Sequence, residues 1–279
     1  MVHRWRHRRL LLALALAVTA LFATALSPHP TLTHASGYNC AGDNHCYGIV
    51  QWDGGTAGES TQILVTALSP GDGDGFVTNE TWFNGEPAPG AICPVQGADI
   101  GCWVEAGVTV GAVQNTYCAT DCYYWADVRP CNGCYDNYNE HFLGYPAAAD
   151  MNQRTTFQIM VDPPCGGCNW TGDCPGNEFG VTVTGASGDT FTGLSFANGM
   201  QPSNIQLGME LYGTNGAAAS PGQYAYNQYY SNNGLHYYQT TDGHQIAPDP
   251  PVLAHWQFPP SNSPYPGGVW TTQCPSGGC

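Results

Sequence analysis

Seven stretches of the chain alternate apolar and polar residues with the two-residue period of a strand buried on one face: "TQILVTAL" (61–68), "CWVEAGVTV" (102–110), "CYYWADV" (122–128), "TTFQIMVD" (155–162), "FGVTVTG" (179–185), "IQLGMELYG" (205–213) and "LHYYQTT" (235–241). Clusters of Gly, Asn, Asp and Pro separate them, and no stretch after the first 35 residues sustains a capped helical period. This pattern predicts an all-β fold, an antiparallel β-sandwich (jelly-roll-like) with long loops. Two of the strands carry a glutamate on the face away from the core. In residues 103–111, Val104, Ala106, Val108 and Val110 share the core face, while Trp103, Glu105, Gly107 and Thr109 share the other. In residues 205–213, Ile205, Leu207, Met209 and Leu211 form the core face, and Gln206, Gly208, Glu210 and Tyr212 lie opposite. Both non-core faces set one acid beside a glycine and an aromatic ring. A lone glutamate on such a face is most simply a solvent-exposed residue, and periodicity alone does not pair the two.

The ends of the chain change what the pattern describes. A basic opening, "MVHRWRHRR", an apolar run from Leu10 to Leu26 and small residues ending in "THAS" are the parts of a secretory signal peptide. Residues 1–35 are therefore expected to be removed, which leaves a single sandwich domain over 36–279 with no membrane attachment after cleavage. Its Pro-rich tail, 247–279, is expected to wrap the surface. Cleavage takes with it Arg4, Arg6, Arg8 and Arg9, so the mature chain sets Arg129 and Arg154 against 21 acidic residues, with no lysine. Such a charge excludes nucleic acid as a partner, because binding there depends on cationic contacts to phosphate. It suits an acidic medium, in which the carboxylates lose their charge.

All 13 cysteines lie beyond the signal segment, and in an exported chain they read as a disulfide framework. Cys40 with Cys46 and Cys93 with Cys102 are the plausible local pairs. The odd count leaves one thiol free or joined to another chain. "CNGC" (131–134) and "CGGC" (165–168) have zinc-site spacing, but oxidation is the expected fate here; no metal and no cofactor is expected. Asp127 and Arg129 share a face in "WADVRP" and are expected to pair. Asn79 in "NET" and Asn169 in "NWT" fit the glycosylation sequon.

Several blocks, in order, resemble the neprosin-type glutamic peptidases: "STQILVTALSPGDGDGFVTNETWFN" (60–84), "WVEAGVTVG", "YYWADVRPCNGCYDNYNEHFLG" (123–144), "TTFQIMVD" and "GLSFANGMQPSNIQLGMELYG" (193–213). They cover most of residues 47–213, and the Glu-Ala-Gly strand and Gly-Cys-Tyr block match most specifically. "GME" stands where the family has Gly-Gly-Glu. The resemblance implies a β-sandwich endopeptidase acting on protein or peptide substrates at acid pH, after proline, with Glu105 and Glu210 as the catalytic pair. Trp103, Tyr123 and Trp125 then offer apolar walls for a proline ring, and Gln206 and Tyr212 offer hydrogen bonds to substrate. A non-catalytic carbohydrate-binding or adhesion sandwich, with exposed aromatic rings stacked on sugars, accounts for the same composition.

Overall fold

Every element of the computed structural model is a strand. It describes residues 45–273 except 55, 70–74, 88, 97, 100, 114–115, 162–178, 196–199, 213–217, 220–222, 232–233, 238–242, 249–251 and 258–267. In chain order the strands are β1 (His45–Asp53), β2 (Gly58–Leu64), β3 (Leu68–Ser69), β4 (Phe76–Glu86), β5 (Pro94–Val95), β6 (Ala98–Asp99), β7 (Cys102–Val113), β8 (Thr116–Val128), β9 (Tyr138–Gly144), β10 (Arg154–Val161), β11 (Phe179–Thr184), β12 (Thr190–Ser195), β13 (Gln201–Tyr212), β14 (Ala218–Ala219), β15 (Gln223–Ser231), β16 (Gly234–Tyr237), β17 (Gly243–Pro248), β18 (Val252–Gln257) and β19 (Gly268–Gln273).

They form two large antiparallel sheets and two small two-stranded ones, β14 with β3 and β5 with β6. One large sheet runs β17-β1-β13-β4-β7-β8-β9; the other runs β12-β11-β10-β2-β15-β19-β18, with β16 paired to β15. The predicted all-β sandwich is the architecture observed. Just before and within the Pro-rich stretch, β17 closes one edge of the first sheet on β1, and β18 and β19 extend the second.

The core forms where the inner faces meet. Val104, Ala106, Val108, Ile205, Leu207 and Met209 come from the first sheet; Ile63, Phe157, Ile159, Val181 and Val183 come from the second. Phe83 and Phe179 bridge the sheets with ring centroids 5.6 Å apart. The alternation read from the sequence is the alternation seen here, since β10 repeats a strict buried/half-buried pattern along its length.

Three disulfides join described residues: Cys93–Cys102, as expected, Cys118–Cys122 within β8, and Cys131–Cys134. The cysteines of "CNGC" are thus joined to each other rather than to zinc. Cys46 is also disulfide-bonded, while Cys40, Cys165, Cys168, Cys174, Cys274, Cys279 and the Asn169 sequon lie outside the described residues. Asp127 and Arg129 pair as expected, with Nε 2.9 Å from Oδ1. Asp127 is fully buried and also accepts from Asn139 (3.2 Å) and from Ser195 on β12 (2.6 Å), so it ties the two sheets together. Asn79 is buried on the inner face and accepts from the Tyr224 hydroxyl at 3.2 Å, out of reach of a glycan-adding enzyme in the folded chain.

Gly208 decides how closely β1 and β13 approach. A Cβ there would fall on the Gly48 carbonyl oxygen, which belongs to backbone and cannot rotate away. Gly208→Ala is therefore expected to cost about 3 kcal/mol, read as a drop in the urea midpoint with unchanged slope.

Candidate active site

The outer face of the first sheet is built by register. Across β13, β4 and β7, three successive rows read Gln206–Trp82–Glu105, Gly208–Glu80–Gly107 and Glu210–Thr78–Thr109. Glu105 and Glu210 therefore sit on strands that flank β4, at opposite corners of this block, with strand axes about 9–10 Å apart. β1 brings Tyr47 opposite Glu210, and on the far side β8 and β9 bring Ala126 and Glu140 into line with Glu105.

Glu105 and Glu210 line one cavity of about 350 Å³, together with Tyr47, Phe76, Trp82, Val95, Gln96, Trp103, Tyr138 and Glu140. Its walls are mostly aromatic, and among the described residues no cationic side chain lines it. Val95 and Gln96 come from the turn between β5 and β6. That turn is held against the start of β7 by the Cys93–Cys102 disulfide, and Gln96 has a positive φ of 46°.

Although this face is not the core, its acids are almost dry. Glu105 is 5% exposed, Glu210 9% and Glu80 0%. Burial above all, then the charges of Glu210 and Glu140, holds the Glu105 carboxyl well above the usual carboxylate range; a hydrogen bond from the Trp82 side chain works in the opposite direction. Glu80 is pushed up by burial and then by Glu105 and Glu210, against a hydrogen bond from Thr78. The Tyr138 hydroxyl donates to Glu140 at 2.5 Å and approaches Glu105 at 3.5 Å. Burial and these acids push that phenol up, and burial and Glu210 do the same to Tyr47. Both phenols thus stay protonated and act as donors. Like charges this close, shielded from water, cannot all be ionised together, so the cluster must keep protons above the pH at which a free glutamate loses its own.

Of the residues singled out from the sequence, Glu105, Glu210 and Trp103 share the cavity wall. Tyr212 stacks on Phe76, with centroids 5.3 Å apart, at the Glu210 end. Gln206 lies on the same face but donates to Gln51 at 2.7 Å on the β1 side, away from the cavity lining. Tyr123 and Trp125 lie on the opposite face. Tyr123 is wholly buried, with its hydroxyl 2.9 Å from Thr155 and 3.3 Å from Asp150, and Trp125 stacks on His141 with centroids 4.0 Å apart. Strand parity explains the split: in β8 the even residue Ala126 pairs with Glu105, so the odd residues 123 and 125 point into the sandwich.

The other aromatic side chains of the cavity wall are Trp82, Phe76, Tyr47 and Tyr138, none of which the sequence reading selected. Glu80 and Glu140 were missed as well. The signal was present in "FVTNETWFN", where Phe76, Thr78, Glu80 and Trp82 alternate with Val77, Asn79, Thr81 and Phe83. It was present again in "YNEHFLG", where Tyr138, Glu140 and Phe142 share a face.

No family model matches the chain, and no curated protein matches it by sequence. Solved structures do match. The chain is similar to scytalido-glutamic peptidase in complex with a peptide-based transition state analogue, at 8% identity over 83% of this chain and 98% of that one, with a TM-score of 0.51. A second structure of scytalido-glutamic peptidase, with a transition state analogue inhibitor, gives 9% identity over 82% and 98% of the chains and a TM-score of 0.49. SCP-B, a member of the eqolisin family of peptidases in complex with the tripeptide Ala-Ile-His, gives 7% identity over 83% and 98% and a TM-score of 0.47. At these identities the likeness is one of fold.

Proposed function

We propose that the chain is a secreted peptidase of the neprosin type that hydrolyses peptide bonds at acid pH, with Glu105 and Glu210 as its working pair. The observation that carries this reading is their meeting on one aromatic-walled cavity, in surroundings that keep a carboxyl protonated. Peptide hydrolysis needs a base to take a proton from water and an acid to donate to the carbonyl oxygen as it gains charge. Two glutamates sharing a proton supply both. In our reading one glutamate of the pair, ionised, takes the proton from water while the other donates to the carbonyl oxygen, and the Tyr47 hydroxyl, which hydrogen-bonds to Glu210, orients that side chain.

A cleft walled by Trp82, Trp103 and Tyr138 suits the compact apolar ring of proline on the acyl side of the cleaved bond. The glutamic-peptidase fold and the export-type disulfides agree with the reading, as does a charge that leaves the surface nearly neutral in acid. Among the described residues, no helix is long and apolar enough to cross a membrane.

The test is to incubate the protein with a mixed peptide pool at about pH 3 to 4 and again near pH 7, then sequence the fragments. We expect cleavage on the acid side, enriched after proline. An intact pool at every pH, together with retention on an immobilised glycan, would favour the carbohydrate-binding alternative.

A further inference from the structure

Glu80 has no part in the pair just described, yet the sheet is built around it. It occupies the middle row of the three-strand block, flanked by Gly208 on one side and Gly107 on the other. A Cβ at Gly107 would lie 2.6 Å from the Glu80 Cβ and 2.5 Å from the Asn79 carbonyl oxygen, so that glycine is what leaves space for the acid. Glu80 thus lies on the diagonal between Glu105 and Glu210 and is fully buried. One of its oxygens accepts from the Thr78 hydroxyl, which itself accepts from the Glu210 backbone N–H at 3.3 Å. The other oxygen, Oε2, is buried with no hydrogen-bond partner among the described residues. A charged carboxylate does not rest in such a place without cost, whereas a protonated one can pass its proton to a neighbouring acid. The titratable groups that face it are Glu105 on β7, Glu210 on β13, Tyr47 on β1, and Glu140 on β9, and none of them is cationic.

Building on the two-glutamate reading, we propose that Glu80 is a positioning residue of this site: a third carboxyl that shares protons with Glu105 and Glu210, so that the pair keeps one proton to a higher pH than two carboxyls alone could. No covalent bond changes; a proton moves among three carboxyls, and the last one to leave does so against the charge of the other two. Removing one of the three lowers that repulsion. Glu80→Gln keeps the shape and the Thr78 contact but carries neither the charge nor the proton.

The test compares wild type with Glu80→Gln by following the Glu105 side-chain carboxyl through a pH titration, using carbon-13 NMR of the labelled protein. In parallel it records the pH profile of peptide cleavage. We expect the Glu105 midpoint and the alkaline limb of the profile both to move toward acid by about one pH unit. A midpoint that stays in place would overturn the proposal, as would a loss of stability and rate that is uniform across pH. If Glu80→Gln does not fold, Thr78→Val gives the same reading. Without the hydroxyl Glu80 holds its proton longer, so the midpoint of Glu105 should again fall, and a fixed midpoint would again overturn the proposal. Should wild type cleave nothing while the midpoint still shifts, the peptidase reading fails and the shared-proton cluster stands.

Discussion

Glu105→Gln is expected to lower kcat/KM for an acid-cleaved peptide by about 10³-fold or more, with Glu210→Gln giving a loss of the same order. Each substitution keeps size and hydrogen-bonding shape while removing the group that takes or gives a proton. The double variant should lose little beyond either single one, because the two residues act as a unit and their effects do not add. The fold should survive both changes. At Glu105 a buried amide replaces a buried carboxyl that is held in its neutral form, so at acid pH the melting temperature should stay close to wild type. A variant that melted normally and still cleaved at the full rate would remove that residue from the mechanism.

The second large effect concerns stability. Burial raises the folded-state pKa of Glu59, Glu80 and Glu105. Their unfolded values lie near 4.3. The sign follows from linkage: a group whose folded pKa is raised contributes stability that is fully present below the unfolded value and is lost as pH rises through the folded one. The protein should therefore melt higher at pH 4 than at pH 8, by on the order of 10 °C. Asp150 runs the other way. Burial opposes its charge, but hydrogen bonds from the backbone and side chain of Ser187, from the Ala147 N–H and from Tyr123 outweigh it and lower its pKa. Its contribution is lost as pH falls through that lowered value, which limits how far into acid the gain extends. Glu59 offers a control away from the cavity. It is fully buried on β2, with Oε1 unpartnered among the described residues, so Glu59→Gln should flatten the pH dependence of melting without touching catalysis. A melting temperature that rises steadily from pH 4 to pH 8 would contradict this account of the buried acids.

The sandwich could be read from strands that bury one face, because burial of one face is what produces a two-residue period. β7, β10, β11 and β13 stand where alternation put them. β9 was not seen as a strand because "YNEHFLG" is polar on both faces; it lies at the edge of its sheet and is only partly covered. In β1, Gly48 interrupts the apolar face and Ile49 adds an apolar residue to the other, so "HCYGIVQWD" lacks a clean period.

The site was half legible for a related reason. Alternation assigned Glu105 and Glu210 to a non-core face, and "GME" proved no obstacle to placing Glu210 on the cavity wall. What it could not give was the strand order. Only pairing puts β4 between β7 and β13, and with it Glu80 between the two acids and Trp82 beside Glu105. Strand parity likewise decides the side on which Tyr123 and Trp125 lie. They are close to Glu105 across the ladder, but one residue of offset sends a side chain through the sheet to the core. Gly107 and Gly208 give space to Glu80 and to the neighbouring strand.

The most direct test of the central claim is the dependence of kcat/KM on pH for wild type, recorded from about pH 2 to pH 9 on a single proline-containing peptide. A pair that works only while it shares a proton predicts a maximum on the acid side and a falling limb above the range of an ordinary glutamate, with Glu105→Gln at background throughout. A maximum at or above neutral pH, or a limb unaffected by the loss of Glu105, would contradict it.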